Sequence, residues 1–317
     1  MADIFDAIRS SCAAVAARST EVLINDAGLR SFAQSLDTSM PSPDPGQVRI
    51  GDDESTIAFV LALDSINFGS GYFPYIAKRE GMSGYHTVAS SLRDFVTSDG
   101  PITTDCLSRL TPERCAEIFG QDLNVELQAE LMRLFAEALN DLATFVVRNG
   151  NGSFSAVVEG AESSAANLVE MLDQMPFFHD VHIYADRPVF LYKRAQIVAQ
   201  DLAIAFGHEG PGRFHDIDRL TMFADNLVPH VLRLEGALSF SGELLHRIEG
   251  VEDIEVGSPA EIEIRACALH AVELLRAHLS EAGVHITAAD LDNVLWNRGA
   301  GERFKSIKRH RSRCVYY

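Results

Sequence analysis

Basic charge is scarce in this chain of 317 residues: 27 Lys and Arg stand against 45 Asp and Glu, a formal net charge of −18 at pH 7. A field of that sign opposes DNA, RNA and anionic membrane surfaces, so holding a nucleic-acid polymer or a membrane starts at a disadvantage. Long hydrophobic runs are missing too. No stretch approaches the roughly 18–20 apolar residues of a membrane-spanning helix. The N-terminus MADIFDAIRSS carries acids where a secretion signal carries bases and then an apolar segment. The expectation is a soluble, cytoplasmic protein. Cysteine is sparse as well: Cys12, Cys106, Cys115, Cys267 and Cys314 are odd in number, far apart and form no Cys-x-x-Cys. That argues against a disulfide framework and a thiolate zinc site, and leaves five free thiols that serve mainly as small buried hydrophobes.

Several catalytic signatures are absent. There is no Walker A loop, no G-x-G-x-x-G after a strand, no H-E-x-x-H and no G-x-S-x-G, and the 11 histidines form no helical i, i+4 pair beside an acid. Nothing repeats with a period of about 20–50 residues. Strand-like alternation is confined to Val181–Tyr184 and Val189–Tyr192, which read as one small hairpin around Asp186 and Pro188. Proline clusters once, in Pro41-Ser-Pro-Asp-Pro-Gly46, which reads as a linker over about residues 41–50 after an N-terminal helical lobe of about residues 1–40.

What the chain has in quantity is helical periodicity. Hydrophobic residues make up 47% of it, enough for a large core. They recur as Ile4, Phe5, Ile8, Cys12 and Val15, and as Leu127, Leu131, Leu134, Phe135, Leu139, Leu142, Phe145 and Val146. Thr111-Pro112 with Gly120, Ser258-Pro259 with Glu261, and Thr287 to Asp290 ahead of Leu291, Val294, Leu295 and Gly299 supply start and stop signals. The fold class expected is all-α, a single domain over residues 1–317 with two lobes at most.

Four segments ask for more than packing. Leu63–Pro74 (LDSINFGSGYFP) interrupts an apolar helix with Asn67-Phe68 and then a glycine-bounded loop holding Tyr72 and Phe73. Aromatic side chains on such a loop suit stacking on a flat heterocycle, worth about 1–3 kcal/mol per base; tucking the loop onto the core explains them equally well. Val189–Gly207 reads as a helix with its apolar stripe at Leu191, Ala195, Val198, Leu202 and Ala205. At about 100° per residue, Gln200 lies about 20° and Asp201 about 80° from Lys193, so a cation, an amide and a carboxylate share one flank. Such a flank is usually solvated surface, although Ile197 and Ile204 point the same way. Phe214–Gly236 reads as two short helices joined at Ala224-Asp225-Asn226. Asp225 then stands just ahead of a helix start near Pro229, with Met222 and Phe223 beside it to limit water. It is either a poised anion or simply the cap of that helix. The last 15 residues hold Arg303, Lys305, Lys308, Arg309, Arg311 and Arg313. That strip suits a small phosphate, an acidic face of the same fold, or solvent. The terminal Cys314-Val-Tyr-Tyr317 is too apolar for a free tail.

Taken together, NFGSGYFP, YKRAQIVAQDL (192–202), DIDRLTMFAD (216–225) and the terminal RSRCVYY resemble the queuosine salvage protein family, the queuosine 5′-phosphate N-glycosylases, over nearly the whole length. The resemblance implies a helical fold similar to helix-hairpin-helix DNA glycosylases, no metal or organic cofactor, and action on a free nucleotide. It also implies that Asp225, in Met-Phe-Ala-Asp, is the catalytic acidic residue and that Lys193, in Lys-Arg-Ala-Gln, belongs to the substrate pocket. The family pattern often continues with Tyr-Arg after the Asp and a Gln after the proline; this chain has Asn226-Leu227 and His230.

The function implied is hydrolysis of the N-glycosidic bond of queuosine 5′-monophosphate, releasing queuine for salvage into tRNA modification. Breaking that bond builds positive charge on the sugar, which a carboxylate stabilises. Asp225 has the chemistry for that. Asn67, Phe68, Tyr72 and Phe73 suit a clamp on the deazaguanine, with Asp201 and Phe223 as further pocket residues. The partner expected is the small nucleotide rather than a polymer or a membrane, and a monomer is compatible with the composition. Two rivals stand beside this reading: a glycosylase for another purine-like nucleotide, and a helical module that binds a nucleotide or a protein without turnover.

Overall fold

The computed structural model describes residues 3–42 and 47–317; Pro43–Gly46, the centre of the expected linker, lies outside the described residues. The chain runs through α1 (Ile4–Ala16), β1 (Val22–Ile24), α2 (Asp26–Ser35), α3 (Asp53–Ser65), α4 (Gly84–Asp99), α5 (Thr104–Ser108), α6 (Pro112–Phe119) and α7 (Glu126–Gly150). It continues through α8 (Phe154–Gly160), α9 (Ala165–Leu172), β2 (Val181–Tyr184), β3 (Arg187–Phe190), α10 (Lys193–Ala205), α11 (Val228–Leu234), β4 (Leu238–Phe240), α12 (Gly242–Glu249), α13 (Pro259–Glu281), α14 (Ala288–Gly299) and α15 (Glu302–Lys305). The protein is mostly helical. Among the described residues, no helix is long and apolar enough to cross a membrane.

Helix ends follow local chemistry. The Thr111 side chain accepts from Arg114 N, Pro112 fills the first turn, and Gly120 closes α6 in the left-handed region (φ 64°). Ser258 caps α13 and Thr287 caps α14 in the same manner. The carboxylate of Glu261 reaches back to Gly257 N (3.1 Å).

Two compact units divide the chain. The first comprises residues 1–42, 180–193 and 218–313, and in it α1 and α2 pack on α13. Helix α13 is buried on every side over 260–269, including Glu261, Glu263 and Arg265. The second comprises residues 43–179, 194–217 and 314–317. It is built on α7, whose Leu131, Phe135, Leu139, Leu142, Phe145 and Val146 are buried, with α3, α5, α6 and α8 against it. Only the first residue of α10, Lys193, is counted with the first unit.

Three expectations need correction. A second two-stranded sheet exists beside the hairpin: β1 pairs antiparallel with β4, Val22 opposite Phe240 and Ile24 opposite Leu238. Two three-residue strands far apart in sequence leave no periodic trace. The hairpin itself pairs Val181 with Phe190 and Tyr184 with Arg187, its second strand ending two residues early. The helix expected from Val189 therefore starts at Lys193. Tyr192, at φ 47°, turns the chain out of the strand. Finally, Phe214–Asn226 holds one 3₁₀ turn, Ile217–Arg219, and no α-helix. Asp216 directs its carboxylate to Ser164 Oγ (2.8 Å), Ala165 N (2.6 Å) and Ala166 N (3.1 Å), so it caps α9 and not a helix of its own.

Candidate active site

Within the first unit, the stretch Thr221–His230 is buried at every residue except Asp225, which is half-buried. Its backbone is fixed from several directions. Phe223 N donates to Asp292 Oδ1 (3.0 Å), Ala224 O accepts from Arg265 Nε (2.9 Å), and Asn226 Nδ2 donates to His310 O (3.3 Å). Asp225 Oδ1 accepts from Leu227 N (2.8 Å) and Val228 N (3.0 Å). So Asp225 holds the amides at the entrance of α11 from two residues ahead of its N-cap, Leu227. Both bonds use one oxygen, and Oδ2 accepts no hydrogen bond from the described residues.

Arg265 and Asp180 form the support beneath. Arg265 is wholly buried and grips Asp180 through both terminal nitrogens, at 2.9 and 2.6 Å. Asp180 Oδ2 also accepts from Lys193 N (3.2 Å). One buried ion pair thus holds the backbone on the N-terminal side of Asp225 and the backbone of Lys193. Burial alone would raise the Asp180 pKa; the charge of Arg265 and hydrogen bonds from His182 and Arg265 outweigh it and hold the carboxyl well below its usual range. Lys193 itself is buried.

Asp292, on α14, is the second carboxyl of the turn. It is 4% exposed. Burial pushes its pKa well above the usual carboxylate range and the charge of Asp225 adds to that, while the Phe223 N–H and Lys193 oppose it. Lys193, Asp225 and Asp292 are therefore within electrostatic reach of one another along this chain of interactions.

Asn226 and His230, which follow Asp225 in the chain, both reach the C-terminal stretch. Asn226 bonds His310 O, and His230 Nε2 bonds Phe304 O (3.0 Å). Burial lowers the His230 pKa to about 4, with Arg233 and Arg309 adding to the shift against the Phe304 bond. The neutral ring that results suits a buried contact with a carbonyl.

In the second unit, Gly69 N and Ser70 N donate to Tyr317 O at 3.1 and 3.4 Å, so the glycine loop and the buried terminal Tyr317 dock on each other. Phe68 is 1% exposed, edge-on to Phe135 (5.2 Å) and under the Arg194 guanidinium (5.0 Å). Tyr72 is buried with its hydroxyl donating to Glu130 (2.9 Å). Asn67 and Phe73 are half-buried; Asn67 Nδ2 donates to Asp64 Oδ1 (3.2 Å). Asp201 is buried and accepts from Gln47 Nε2 (2.9 Å), and its neighbour Gln200 is buried too. The structure groups Lys193, Phe223 and Asp225 in the first unit, and Asn67, Phe68, Tyr72, Phe73 and Asp201 in the second.

Asp180, Asp292 and Arg265 escaped the sequence reading. A signal did exist for Arg265: Glu261, Glu263 and Arg265 alternate with Ile262, Ile264 and Ala266 in a helix whose every side is apolar-flanked, a pattern that forces charge into the core and so demands partners. Among the described residues, no group of three or more His, Cys, Asp and Glu is arranged to hold a metal ion.

Comparison with known proteins joins the chain to a family. The profile of the family described as queuosine salvage protein matches residues 48–317. A Dictyostelium discoideum protein is 33% identical over 267 residues, covering 83% of this chain and 79% of its own. A Sphaerobacter thermophilus protein is 34% identical over 83% of this chain and 82% of its own. A Mus musculus protein is 30% identical over 98% of both chains. Each of the three is named queuosine 5′-phosphate N-glycosylase/hydrolase.

Proposed function

The chain belongs to the queuosine salvage protein family, and from that membership we propose that it is an N-glycosylase hydrolysing queuosine 5′-monophosphate to queuine and ribose 5-phosphate. The observation that carries the reading is the turn around Asp225: a single half-buried carboxyl in an otherwise buried stretch, one oxygen fixed by two amides and the other unengaged.

In this reading the bond from ribose C1′ to the base nitrogen breaks with its electron pair leaving on the base. Positive charge then spreads over C1′ and the ring oxygen, and the Asp225 carboxylate stabilises it from a fixed position, without having to reorganise. Water adds to C1′, and Asp225 takes its proton, which ends on the departing base nitrogen, so the carboxylate is regenerated. Phe223 keeps bulk water from Asp225, and Lys193 serves the sugar or phosphate end. Base recognition falls to Asn67 and Phe73, which retain surface to offer, with Phe68 and Tyr72 backing the loop and Asp201 as a further polar contact. The net charge of −18 favours one small nucleotide over a polymer as the substrate. The reading places the reaction in the cytoplasm, without a metal or organic cofactor. It takes the helical framework as akin to helix-hairpin-helix DNA glycosylases, as the family resemblance implies.

Asp225→Asn is the decisive variant, because asparagine retains an oxygen for Leu227 N and Val228 N and caps helices as well as aspartate. It should lose base release by at least about a hundredfold while melting like the wild type. Release at the full rate would overturn the assignment. Equal turnover of a panel of purine and deazapurine nucleotides would overturn the substrate.

A further inference from the structure

Three of the six bases in the C-terminal strip, Arg303, Lys308 and Arg313, are engaged by the protein's own fold, and Lys305 is exposed to water. Arg298 and Arg303 bind Glu235 (2.8 and 3.0 Å), Lys308 Nζ donates to Glu249 O (2.7 Å), and Arg313 pairs with Asp253 (2.8 Å). Arg309 and Arg311 differ. Among the described residues, neither side chain makes a hydrogen bond or ion pair, although each carries five donors. Arg18, Arg187 and Arg213 also lack such partners, but they are exposed and water serves them; Arg309 and Arg311 are half-buried.

Their backbone is nonetheless held firmly. Arg233 donates to Lys308 O (3.1 Å), Asn226 to His310 O (3.3 Å), and Ile254 N to Arg311 O (2.7 Å), with Arg311 in a parallel bridge to Asp253. Ser312 Oγ donates to Ile254 O. Burial alternates residue by residue: His310 and Ser312 are buried, whereas Arg309 and Arg311 are partly open. That is the period of an extended strand, which sets both guanidinium groups on one side. Burial holds the Arg309 pKa below its usual value; Asp225 opposes this and the charge of Arg311 adds to it.

A protein with 45 acids and 27 bases that leaves two neighbouring, half-buried guanidinium groups without a hydrogen-bonded carboxylate among the described residues, on a strap tied to the Asp225 turn by the bond from Asn226 to His310 O (3.3 Å), offers two forks that suit a doubly charged oxyanion. We infer that Arg309 and Arg311 bind the phosphate monoester of the substrate and so make the enzyme prefer a 5′-nucleotide to the nucleoside. The planar guanidinium fork matches phosphate oxygens pairwise, and two of them match a dianion. The tether from phosphate to C1′ then orients the ribose at Asp225, so that binding energy remote from the bond is used at the bond.

The inference depends on the proposed reaction only for what carries the phosphate, and the experiment separates the two. Ribose 5-phosphate and ribose are titrated calorimetrically against the wild type, Arg309→Gln, Arg311→Gln, the double variant and Arg313→Gln, and kcat/KM is measured for queuosine 5′-monophosphate and queuosine. Each of the first two substitutions should weaken ribose 5-phosphate binding, and lower the nucleotide-to-nucleoside ratio of kcat/KM, by at least about tenfold, since each removes charge-assisted hydrogen bonds to the phosphate. Arg313→Gln, on the same strap but bound to Asp253, should leave both unchanged. Arg309→Lys covers the case in which the glutamine variant does not fold; keeping the charge but losing the fork, it should fall between. An unchanged ratio with unchanged ribose 5-phosphate affinity in the double variant overturns the inference. A wild type that binds ribose 5-phosphate through these arginines yet releases no base overturns the reaction and leaves the phosphate site standing.

Discussion

The turn at Asp225 and the aromatic loop at Asn67–Phe73 are both irregular segments that follow or precede helices, and both are pinned by main-chain hydrogen bonds. They are built on opposite principles. Around Asp225, buried polar groups hold the backbone: Asp292, Arg265 and His310 each take one main-chain or side-chain bond, and one carboxyl oxygen is left over. In the loop, apolar packing does the holding: Phe68 lies against Phe135 and Phe177, and Tyr72 is buried to its hydroxyl. A polar turn can leave one reactive group outward because its directional bonds fix the geometry without covering that group. An aromatic loop is fixed by the same surfaces it would offer a ligand, so its most buried rings are scaffold first.

The comparison is broken or sharpened most by Asp180→Asn, which takes from the buried Arg265 its bidentate partner and leaves only Glu261, at 3.3 Å, as counter-charge. Loss of about 3–5 kcal/mol is expected, read by urea denaturation. A loss below about 1 kcal/mol would remove the ion pair as the support of the turn. Phe68→Ala should cost a comparable 3–5 kcal/mol, from lost burial and the cavity left behind. If stability held and KM for the nucleotide rose instead, the ring would belong to the ligand and the contrast between the two segments would fail. Gly84→Ala probes the loop more gently: a Cβ there would lie 2.3 Å from the Phe73 ring, so Phe73 must move. Overpacking of this kind costs about 1–3 kcal/mol, and fluorescence-monitored melting should show it.

The smallest effect concerns pH. Asp292 has a raised folded pKa, so its contribution to stability is full below the ordinary carboxylate pKa of 3.8 and declines as pH climbs through the folded value. Asp180 runs the other way: its contribution is present above 3.8 and is lost as the solution is acidified through its lowered folded pKa. Asp292→Asn keeps an oxygen for Phe223 N and cannot ionise. Denaturation midpoints taken from pH 5 to pH 8 should therefore fall less steeply for it than for the wild type; parallel curves would mean that Asp292 does not hold its proton in the fold.

Much of this molecule follows from short stretches read alone. Thr111-Pro112, Ser258-Pro259 and Thr287 begin helices because a hydroxyl, a missing N–H and a fixed φ act within three residues. The spacing along α1 and α7 marks their buried faces, since a helix repeats regardless of what it packs against. The motifs around Lys193 and Asp225 were legible for the same local reason, and they carried the family. Pairing of β1 with β4, the grip of Arg265 on Asp180, the raised pKa of Asp292 and, among the described residues, the lack of partners for the Arg309 and Arg311 side chains were not. Each depends on which distant groups share a place with low access to water. A charge's partner, its burial and hence its pKa are properties of that place. Sequence determined which side chains exist and which helix faces turn inward; the tertiary fold decided which charges are balanced and which remain for a ligand, because electrostatic energy depends on distance and solvent, and neither is written in the order of residues.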